Sequence, residues 1–217
     1  MCLGQTRMLS NVISGGVWGP SALPGIASVD SVTGAVTGTG LGSGTITYTL
    51  STGCASTHAI TVNPVPVGTS GPIQVCEGNT AIYSNATPGG TWSSSDTTIA
   101  TINTTSGLLT AVSGGVVTVT YTLGSGCNAM FTVTVNGLPG TISGPNQVCE
   151  GSTIVLTTTS TTGLWSSADP GVADAGALTG DITGMSAMTP GVMGMGVTLI
   201  TYTLPTGCFR THEVTVN

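Results

Sequence analysis

The stretch TYTLSTGC at residues 47–54 recurs as TYTLGSGC at 120–127 and as TYTLPTGC at 201–208. Each copy is an alternating run that ends in a Gly-Cys pair. Every second residue of a strand faces the same side, so Tyr48 and Leu50 share one face and the threonines between them face the other. The stretch predicts a half-buried β-strand followed by a turn that presents a cysteine.

A second pattern divides the chain into three units. In each unit a cysteine is followed sixteen positions later by a tryptophan. These pairs are Cys2 and Trp18, Cys76 and Trp92, and Cys149 and Trp165. The period is 74 residues from the first cysteine to the second and 73 from the second to the third. Self-similarity at a fixed period predicts a tandem array, whose units we name repeat 1 (1–63), repeat 2 (64–136) and repeat 3 (137–217).

The fold class follows from the strand pattern within each unit. About seven short alternating runs lie between glycine-rich turns, with the tryptophan on the third, which is typical of an antiparallel sandwich. We expect an all-β chain of three tandem Ig-like sandwiches, arranged as a rod because proline-containing links (NPVP, 63–66, and NGLP, 136–139) join the units.

Repeat 1 differs from the others at its start. It begins one residue before its cysteine, and so lacks the first strand that VGTSGPIQV (67–75) and GTISGPNQV (140–148) supply elsewhere. We expect either that the chain is a piece of something longer or that repeat 1 borrows a strand from a neighbour.

The repeats resemble a known family. The runs GTWSSSD, IATIN, SGLLTAVSGG, TYTL and TVTVN of repeat 2 look like a bacterial Ig-like domain of the group 2 type, and the resemblance extends over nearly the whole chain. The chain is also similar to cysteine-bearing repeats of very large secreted surface proteins of gliding bacteria. This resemblance implies an adhesin or another protein of the cell surface.

Composition excludes several classes of function. Charged residues make up 5% of the chain, and Arg7 and Arg210 are the only cations against eight carboxylates. A nucleic acid backbone would be repelled, and neither a basic lipid-binding patch nor an apolar run of about 18 residues is present. We therefore expect no nucleic acid partner and no membrane association.

The cysteines indicate the compartment. No targeting segment is visible at the start of the sequence, but six regularly spaced cysteines without a CxxC pair favour disulfides over zinc. The sequence predicts a secreted protein at the cell surface.

Catalytic candidates are few. His58 and His212 occupy equivalent positions, but repeat 2 has Phe131 there, which favours strand packing over catalysis. Glu77 and Glu150 follow the first cysteine of their repeats, and repeat 1 has a leucine at that position. We predict no enzyme and no cofactor.

Three aspartates of repeat 3 are the candidates for a metal site. Their spacing fits no known calcium loop and is better explained by solvated turns, so no metal is predicted. These residues are Asp169, Asp174 and Asp181.

Two groups of residues are candidate interaction or modification sites. Repeat 3 carries eight extra residues between its fifth and sixth strands, rich in methionine, and these form either an interface or a loop folded back on their own domain. The methionines are Met185, Met188, Met193 and Met195. Ser31 and Thr97 stand in DSV and DTT sequences, which the family resemblance implies as O-glycosylation sites.

The cysteine pairing has two possible patterns. One bond within each repeat would join Cys2 to Cys54, Cys76 to Cys127 and Cys149 to Cys208. In an Ig-like strand order, however, the two cysteines of a repeat lie at opposite ends of a strand about 17–20 Å long, whereas bonded Cα atoms lie within about 7 Å. We favour bonds between adjacent repeats, Cys2 with Cys127 and Cys76 with Cys208, which leave Cys54 and Cys149 for neighbouring units.

These features favour a mechanical function. We expect the stalk of a surface adhesin or a subunit of a cell-surface filament, with partners that are further repeats or other copies of the chain. The alternative is a module that binds a glycan or a protein through the loops of repeat 3.

Overall fold

The computed structural model describes residues 1–22, 25–185 and 196–217, and twenty strands form the regular structure of these residues. The described part of the chain holds no helix of the length and apolarity needed to cross a membrane.

Repeat 1 contains six strands in two three-stranded sheets. The sheet orders are β2-β5-β6 and β1-β4-β3, with all pairs antiparallel. The strands are β1 (Thr6–Met8), β2 (Gly16–Ala22), β3 (Ala27–Val29), β4 (Ala35–Gly38), β5 (Gly42–Leu50) and β6 (Ala55–Val62).

Repeat 2 contains seven strands, because one strand precedes the counterpart of β1. Its sheets have the orders β7-β13-β12-β9 and β10-β11-β8. The strands are β7 (Gln74–Cys76), β8 (Thr80–Ile82), β9 (Gly90–Ser94), β10 (Ala100–Ile102), β11 (Leu108–Ala111), β12 (Gly115–Leu123) and β13 (Asn128–Asn136).

Repeat 3 copies the arrangement of repeat 2. Its sheets have the orders β14-β20-β19-β16 and β15-β18-β17. The strands are β14 (Gln147–Val148), β15 (Thr153–Val155), β16 (Leu164–Ser167), β17 (Ala173–Ala175), β18 (Asp181–Gly184), β19 (Gly196–Thr203) and β20 (Phe209–Val216). The prediction of an all-β chain of tandem Ig-like sandwiches is confirmed.

Each repeat packs its own core between its two sheets. The predicted alternation is present: Ile46 and Tyr48 of β5 are buried, as are Val119 and Tyr121 of β12. The tryptophan of each repeat packs on the tyrosine of the TYTL strand, with ring centroids 4.7 Å apart in repeats 1 and 2 and 4.8 Å apart in repeat 3. These aromatic pairs bury large apolar areas in domains that are otherwise rich in small residues.

The first-strand segment, residues 67–75 in repeat 2 and 140–148 in repeat 3, contacts both sheets of its sandwich. Ser70 forms an antiparallel bridge with Ser84 next to one sheet, and β7 then pairs in parallel with β13 of the other. Repeat 1 retains a single parallel bridge of this kind, between Cys2 and Asn63.

Candidate functional site

Two disulfides join successive repeats and form the candidate functional site. Cys2 bonds to Cys127 across 125 positions, and Cys76 bonds to Cys208 across 132 positions. The Cα atoms are 5.6 Å apart in both bonds, within the range of unstrained disulfides. Each bond connects the first cysteine of one repeat to the second cysteine of the next, as expected for adjacent units.

The first cysteine of each bond lies at the end of its repeat that faces the following repeat. Cys76 is the last residue of β7 and is paired with Asn136, the last residue of β13. Cys2 is bridged to Asn63 in the same way. Each first cysteine therefore lies beside the residue from which the chain leaves for the next repeat.

A tight turn positions the second cysteine. In repeat 2 the Leu123 amide donates to the Cys127 carbonyl at 2.8 Å, and the Gly126 amide donates to the Leu123 carbonyl at 2.8 Å. Gly126 has a φ of 84°, which an L side chain rarely adopts. The Gly-Cys pair of the recurring stretch is therefore a backbone requirement of the turn that presents the thiol.

The turn of one repeat packs on the end of the repeat before it. The Cys127 sulfur lies 4.0 Å from the Asn63 carbonyl oxygen, and the Cys208 sulfur lies 3.8 Å from the Asn136 carbonyl oxygen. At the second junction Arg210 adds a hydrogen bond, since its Nε donates to the Pro139 carbonyl at 2.7 Å. Both bonded turn cysteines are shielded from solvent, with exposures of 1% for Cys127 and 0% for Cys208.

The remaining two cysteines carry free thiols and are exposed. Cys54 occupies the same turn as Cys127, with the Leu50 amide donating to the Cys54 carbonyl at 2.9 Å. Cys149 occupies the position of Cys76, directly after β14. Each free thiol therefore has the local geometry of a junction cysteine without a partner repeat beside it.

The bonds observed exclude two of the three pairs within repeats, since Cys2 and Cys76 are already bonded elsewhere. The third, Cys149 with Cys208, is excluded because Cys208 is bonded to Cys76. The physical reason is the strand order, which places the two cysteines of a repeat at opposite ends of the sandwich.

The other predicted residues lie outside the junctions. Met185 is 40% exposed at the end of β18, whereas Met188, Met193 and Met195 lie outside the described residues. Ser31 and Thr97 are both exposed, each beside an aspartate that accepts hydrogen bonds within its own turn. Their roles in binding and glycosylation stay predictions.

The candidate catalytic and metal-binding residues do not form a site in the described residues. His58 is exposed, and His212 is half-buried with no hydrogen bond to its Nε2. Asp169 accepts a hydrogen bond from the Gly171 amide at 3.0 Å, as turn aspartates do. Within residues 1–22, 25–185 and 196–217, no three His, Cys, Asp or Glu side chains come together as a metal site.

Two sets of hydrogen bonds in the structure were not predicted from the sequence. The TYTL tyrosine hydroxyl accepts from the amide of a glycine before the tryptophan, for example Gly90 to Tyr121 at 2.8 Å, and Tyr121 donates to the Thr87 carbonyl at 2.8 Å. The second feature is the contact of Arg210 with Pro139. The available signal for this contact was the position of Arg210, which is one of only two cationic residues and lies two residues after Cys208.

Part of repeat 2 is similar in sequence to a known domain family. Residues 78–135 match the bacterial Ig-like domain (group 2). This match begins two residues before β8, ends one residue before the end of β13, and agrees with the sandwich seen there. The sequence has no significant similarity to any curated protein.

The solved structures to which the chain shows some similarity include bacterial proteins and a cadherin. One is the C-terminal 282-residue fragment of intimin in complex with the intimin-binding domain of the translocated intimin receptor, at 15% identity and a TM-score of 0.45 over 70% of this chain and 64% of that chain. Another is invasin, a bacterial integrin-binding protein, at 14% identity and a TM-score of 0.44 over 99% of this chain and 53% of that chain. Drosophila N-cadherin EC1-3 has 11% identity and a TM-score of 0.30 over 99% and 93%.

Proposed function

We propose that this chain is a structural protein of the cell surface, the stalk of an adhesin or a subunit of a surface filament. Its units are the three Ig-like repeats 1–63, 64–136 and 137–217, cross-linked by disulfides from one repeat to the next. The observation that carries the proposal is the pairing Cys2–Cys127 and Cys76–Cys208. Bonds that tie successive domains together constrain the whole array, which supports a load-bearing role more directly than a role for one binding loop.

The two bonds overlap along the chain, which determines how it would bear tension. The first encloses residues 2–127 and the second 76–208, so residues 76–127 lie inside both. The shortest covalent path from Cys2 to Cys208 crosses the first bond, returns along repeat 2 to Cys76 and crosses the second bond. A pull on the two termini therefore bypasses most of the polypeptide.

The cysteine chemistry supports an oxidising compartment. Four of the six cysteines are bonded, and structural disulfides persist mainly in secreted and surface proteins. The low charge of the chain also supports a surface that carries glycans, with Ser31 and Thr97 as the proposed attachment sites. Mass spectrometry of the protein from its native host would detect such glycans.

The free thiols support continuation of the array. Cys54 is the second cysteine of its repeat and would accept a first cysteine from a preceding unit, as Cys127 accepts Cys2. Cys149 would bond to the second cysteine of a following unit. The proposed partners are therefore further repeats, which would bond to Cys54 or Cys149 through their own cysteines, or other copies of this chain, which would be joined by a Cys149–Cys54 bond.

Single-molecule stretching between the two termini tests the mechanical proposal. In the reduced chain, 206 residue steps lie between Cys2 and Cys208 (208 minus 2), which corresponds to about 700 Å at about 3.4 Å per residue. In the oxidised chain only the 51 steps between Cys76 and Cys127 (127 minus 76) extend, about 170 Å. Equal extension of the two forms would contradict the proposal.

The matched control is a chain with Cys54→Ser and Cys149→Ser. It keeps both overlapping bonds and is expected to stretch like the oxidised chain, but it can no longer form linked copies. Non-reducing electrophoresis of the unmodified chain under mild oxidation should show ladders that this control lacks. A ladder in the control would show that copies associate through other groups.

A further inference from the structure

An open cavity of about 350 Å³ lies beside the junction of repeats 2 and 3, between the first-strand segment of repeat 3 and β20. Its walls are Thr141 and Ile142 from that segment, and Phe209, Arg210 and Thr211 from the start of β20. Among the described residues that form the walls, Arg210 is the only charged one. The cavity therefore combines a positive charge with two hydroxyl groups and an aromatic ring.

Arg210 is held at the cavity through one nitrogen of its guanidinium. The side chain is half-buried, and its Nε donates to the Pro139 carbonyl at 2.7 Å. Within the described part of the chain, no other residue accepts a hydrogen bond from this guanidinium. Glu213, the nearest carboxylate in sequence, lies three positions further along β20 and so points to the opposite face. The two terminal nitrogens of Arg210 therefore remain available as donors to a ligand.

The two threonines offer further donors and acceptors. Thr141 and Thr211 are both exposed, and no described residue forms a hydrogen bond with either hydroxyl group. A hydroxyl group can donate one hydrogen bond and accept two. The walls can therefore bind a ligand that carries several hydroxyl groups of its own.

The backbone of β20 adds an amide donor at the same edge. β14 pairs with β20 at Thr215 and Val216, beyond the residues that line the cavity. The Thr215 amide donates to the Asn146 carbonyl at 2.9 Å, away from β19. Peptide groups alternate between the two edges of a strand, so the Thr211 amide points to the same side as that of Thr215. It therefore faces the cavity.

The junction itself does not require the arginine or the aromatic ring. At the equivalent positions repeat 2 has Ala129 in place of Arg210 and Asn128 in place of Phe209. The turn of repeat 2 is nevertheless bonded to repeat 1, with the same distance of 5.6 Å between the Cα atoms of the disulfide. The cation and the ring are additions of repeat 3 to a junction that forms without them.

Phe209 presents an apolar surface beside the charge. Its side chain is 55% exposed, although most large apolar side chains of the β20 region are packed in the core. A ligand that covers the ring gains the free energy of burying apolar area. The ligand that fits best is therefore one with a carboxylate, hydroxyl groups and a face of C–H groups.

We propose that this cavity binds a sugar residue that carries a carboxylate, a hexuronate of an acidic polysaccharide. The guanidinium of Arg210 binds the carboxylate through two parallel N–H···O bonds, the arrangement that the planar side chain favours. The hydroxyl groups of Thr141 and Thr211 bind sugar hydroxyls, and the ring of Phe209 covers one face of the sugar.

A sugar fits the cavity better than an acidic peptide does. An aspartate or glutamate side chain offers a carboxylate, but neither the hydroxyl groups nor the ring face that the other walls match. The volume of about 350 Å³ also lies at the lower end of the range of small-ligand sites, roughly 300–1,000 Å³. The site is independent of the mechanical proposal, since the disulfides stay in place whether or not a sugar is bound.

The test is isothermal titration calorimetry of the full chain, with Cys54→Ser and Cys149→Ser, against trisaccharides of galacturonate and of glucuronate. We expect saturable binding of at least one of them, which a neutral trisaccharide of galactose does not show. In NMR spectra the amide signals of Thr141 and Thr211 should shift on binding. Absence of saturable binding by both acidic sugars overturns the proposal. Equal binding of triglutamate would show a general carboxylate site and would also overturn it.

Variants of the two cations locate the site. Arg210→Ala should bind at least about tenfold more weakly, a difference of about 1.4 kcal/mol. The matched control, Arg7→Ala, removes the other cation of the chain and should bind as the starting chain does. Equal losses in the two variants would mean that net charge alone attracts the sugar, and would contradict the proposed site.

A variant of Phe209 guards against a change in the junction. Arg210→Ala also removes the hydrogen bond to Pro139, so peptide mapping must show that its Cys76–Cys208 bond has formed. Phe209→Ser changes an exposed side chain and leaves this hydrogen bond intact. It should bind about fivefold more weakly, the loss of about 1 kcal/mol expected for one aromatic contact. Unchanged binding by this variant would place the sugar elsewhere.

Discussion

Repeats 1 and 2 have the same cysteine-to-tryptophan spacing and the same aromatic pair, but differ in what completes them. Repeat 2 has its first strand and a turn cysteine bonded to the repeat before it. Repeat 1 has a half-buried Leu9 where repeat 2 has the covered Tyr83, and a free thiol, Cys54, in the same turn. The comparison shows that a repeat's own first-strand segment covers the core residue beneath it, and that the bond to the preceding repeat shields the turn cysteine.

Loss of the first disulfide should have the largest effect. The starting chain carries Cys54→Ala and Cys149→Ala, so it has no free thiols. Adding Cys2→Ala and Cys127→Ala removes the disulfide that closes a loop spanning 125 positions. For a loop of about 100 residues the chain-entropy model gives about 4–5 kcal/mol. Differential scanning calorimetry should show a clearly lower Tm for repeats 1 and 2. An unchanged Tm would show that the junction holds without its bond.

The next largest effect is expected from Tyr83, which the first-strand segment covers, compared with its counterpart Leu9 in repeat 1. Tyr83→Ala empties a fully covered site and is expected to lower the stability of repeat 2 by about 3–5 kcal/mol. Leu9→Ala, at the equivalent position of repeat 1, removes a side chain that is only half-buried and should cost repeat 1 about 1–2 kcal/mol. Hydrogen exchange with peptide-level resolution measures the two repeats separately. Equal costs would mean that Leu9 is as well covered in solution as Tyr83.

Alkaline pH should weaken repeat 2 through the same tyrosine. Burial raises the pKa of Tyr83 to about 12 from its ordinary value of 10. The unfolded chain releases this proton first, so the stabilising contribution of the neutral hydroxyl is complete below pH 10 and is lost as the pH rises towards about 12.

Thermal unfolding between pH 9 and 12 tests whether the stability of repeat 2 falls as the pH rises. The chain without free thiols should lose stability in repeat 2 more steeply than its Tyr83→Phe variant, which has no proton to release. Tyr83→Phe also removes the hydrogen bond to the Pro72 carbonyl, so the variant should start from a lower stability at pH 9. Parallel curves would place the alkaline sensitivity on another group.

The smallest expected effect concerns acid. Hydrogen bonds from Thr33 and Val32 hold the pKa of Asp30 below its usual value, and those from Thr98 do the same for Asp96. Each carboxylate stabilises its repeat above the unfolded pKa of about 4, and this contribution is lost as the pH falls through the folded value.

Amide variants separate the two repeats. Asp30→Asn should remove part of the acid sensitivity of repeat 1 alone, because Asn103 accepts the corresponding turn hydrogen bonds in repeat 2 without titrating. Asp96→Asn should act on repeat 2 alone. Hydrogen exchange at pH 3 and pH 6 measures both, and a change in the wrong repeat would contradict the assignment.

The sequence predicted the fold well because the alternation and the glycine turns are local signals. Ile46, Tyr48 and Val119 are buried because of their position in a strand, which can be read directly from the residues. The favoured cysteine pairs also followed from strand order, because two ends of one sandwich lie too far apart to be bonded.

The contacts that depend on tertiary fit could not be predicted in the same way. Two such contacts are the approach of Gly71 to Tyr83 and the hydrogen bond from Arg210 to Pro139. In neither case does the residue type in the sequence indicate which residue it will contact. The missing first strand of repeat 1 was visible from the alignment of the repeats. That Leu9, the counterpart of Tyr83, is only half-buried could be seen only from the packing of both sheets.

The overlap of the two disulfides also bears on survival among proteases. Any single backbone cut between Cys2 and Cys208 falls inside at least one of the two bonded loops, and a cut between Cys76 and Cys127 falls inside both. The two fragments therefore stay attached to each other after one cleavage at any such site. In an array built in this way, a single backbone cut between Cys2 and Cys208 does not release the distal end.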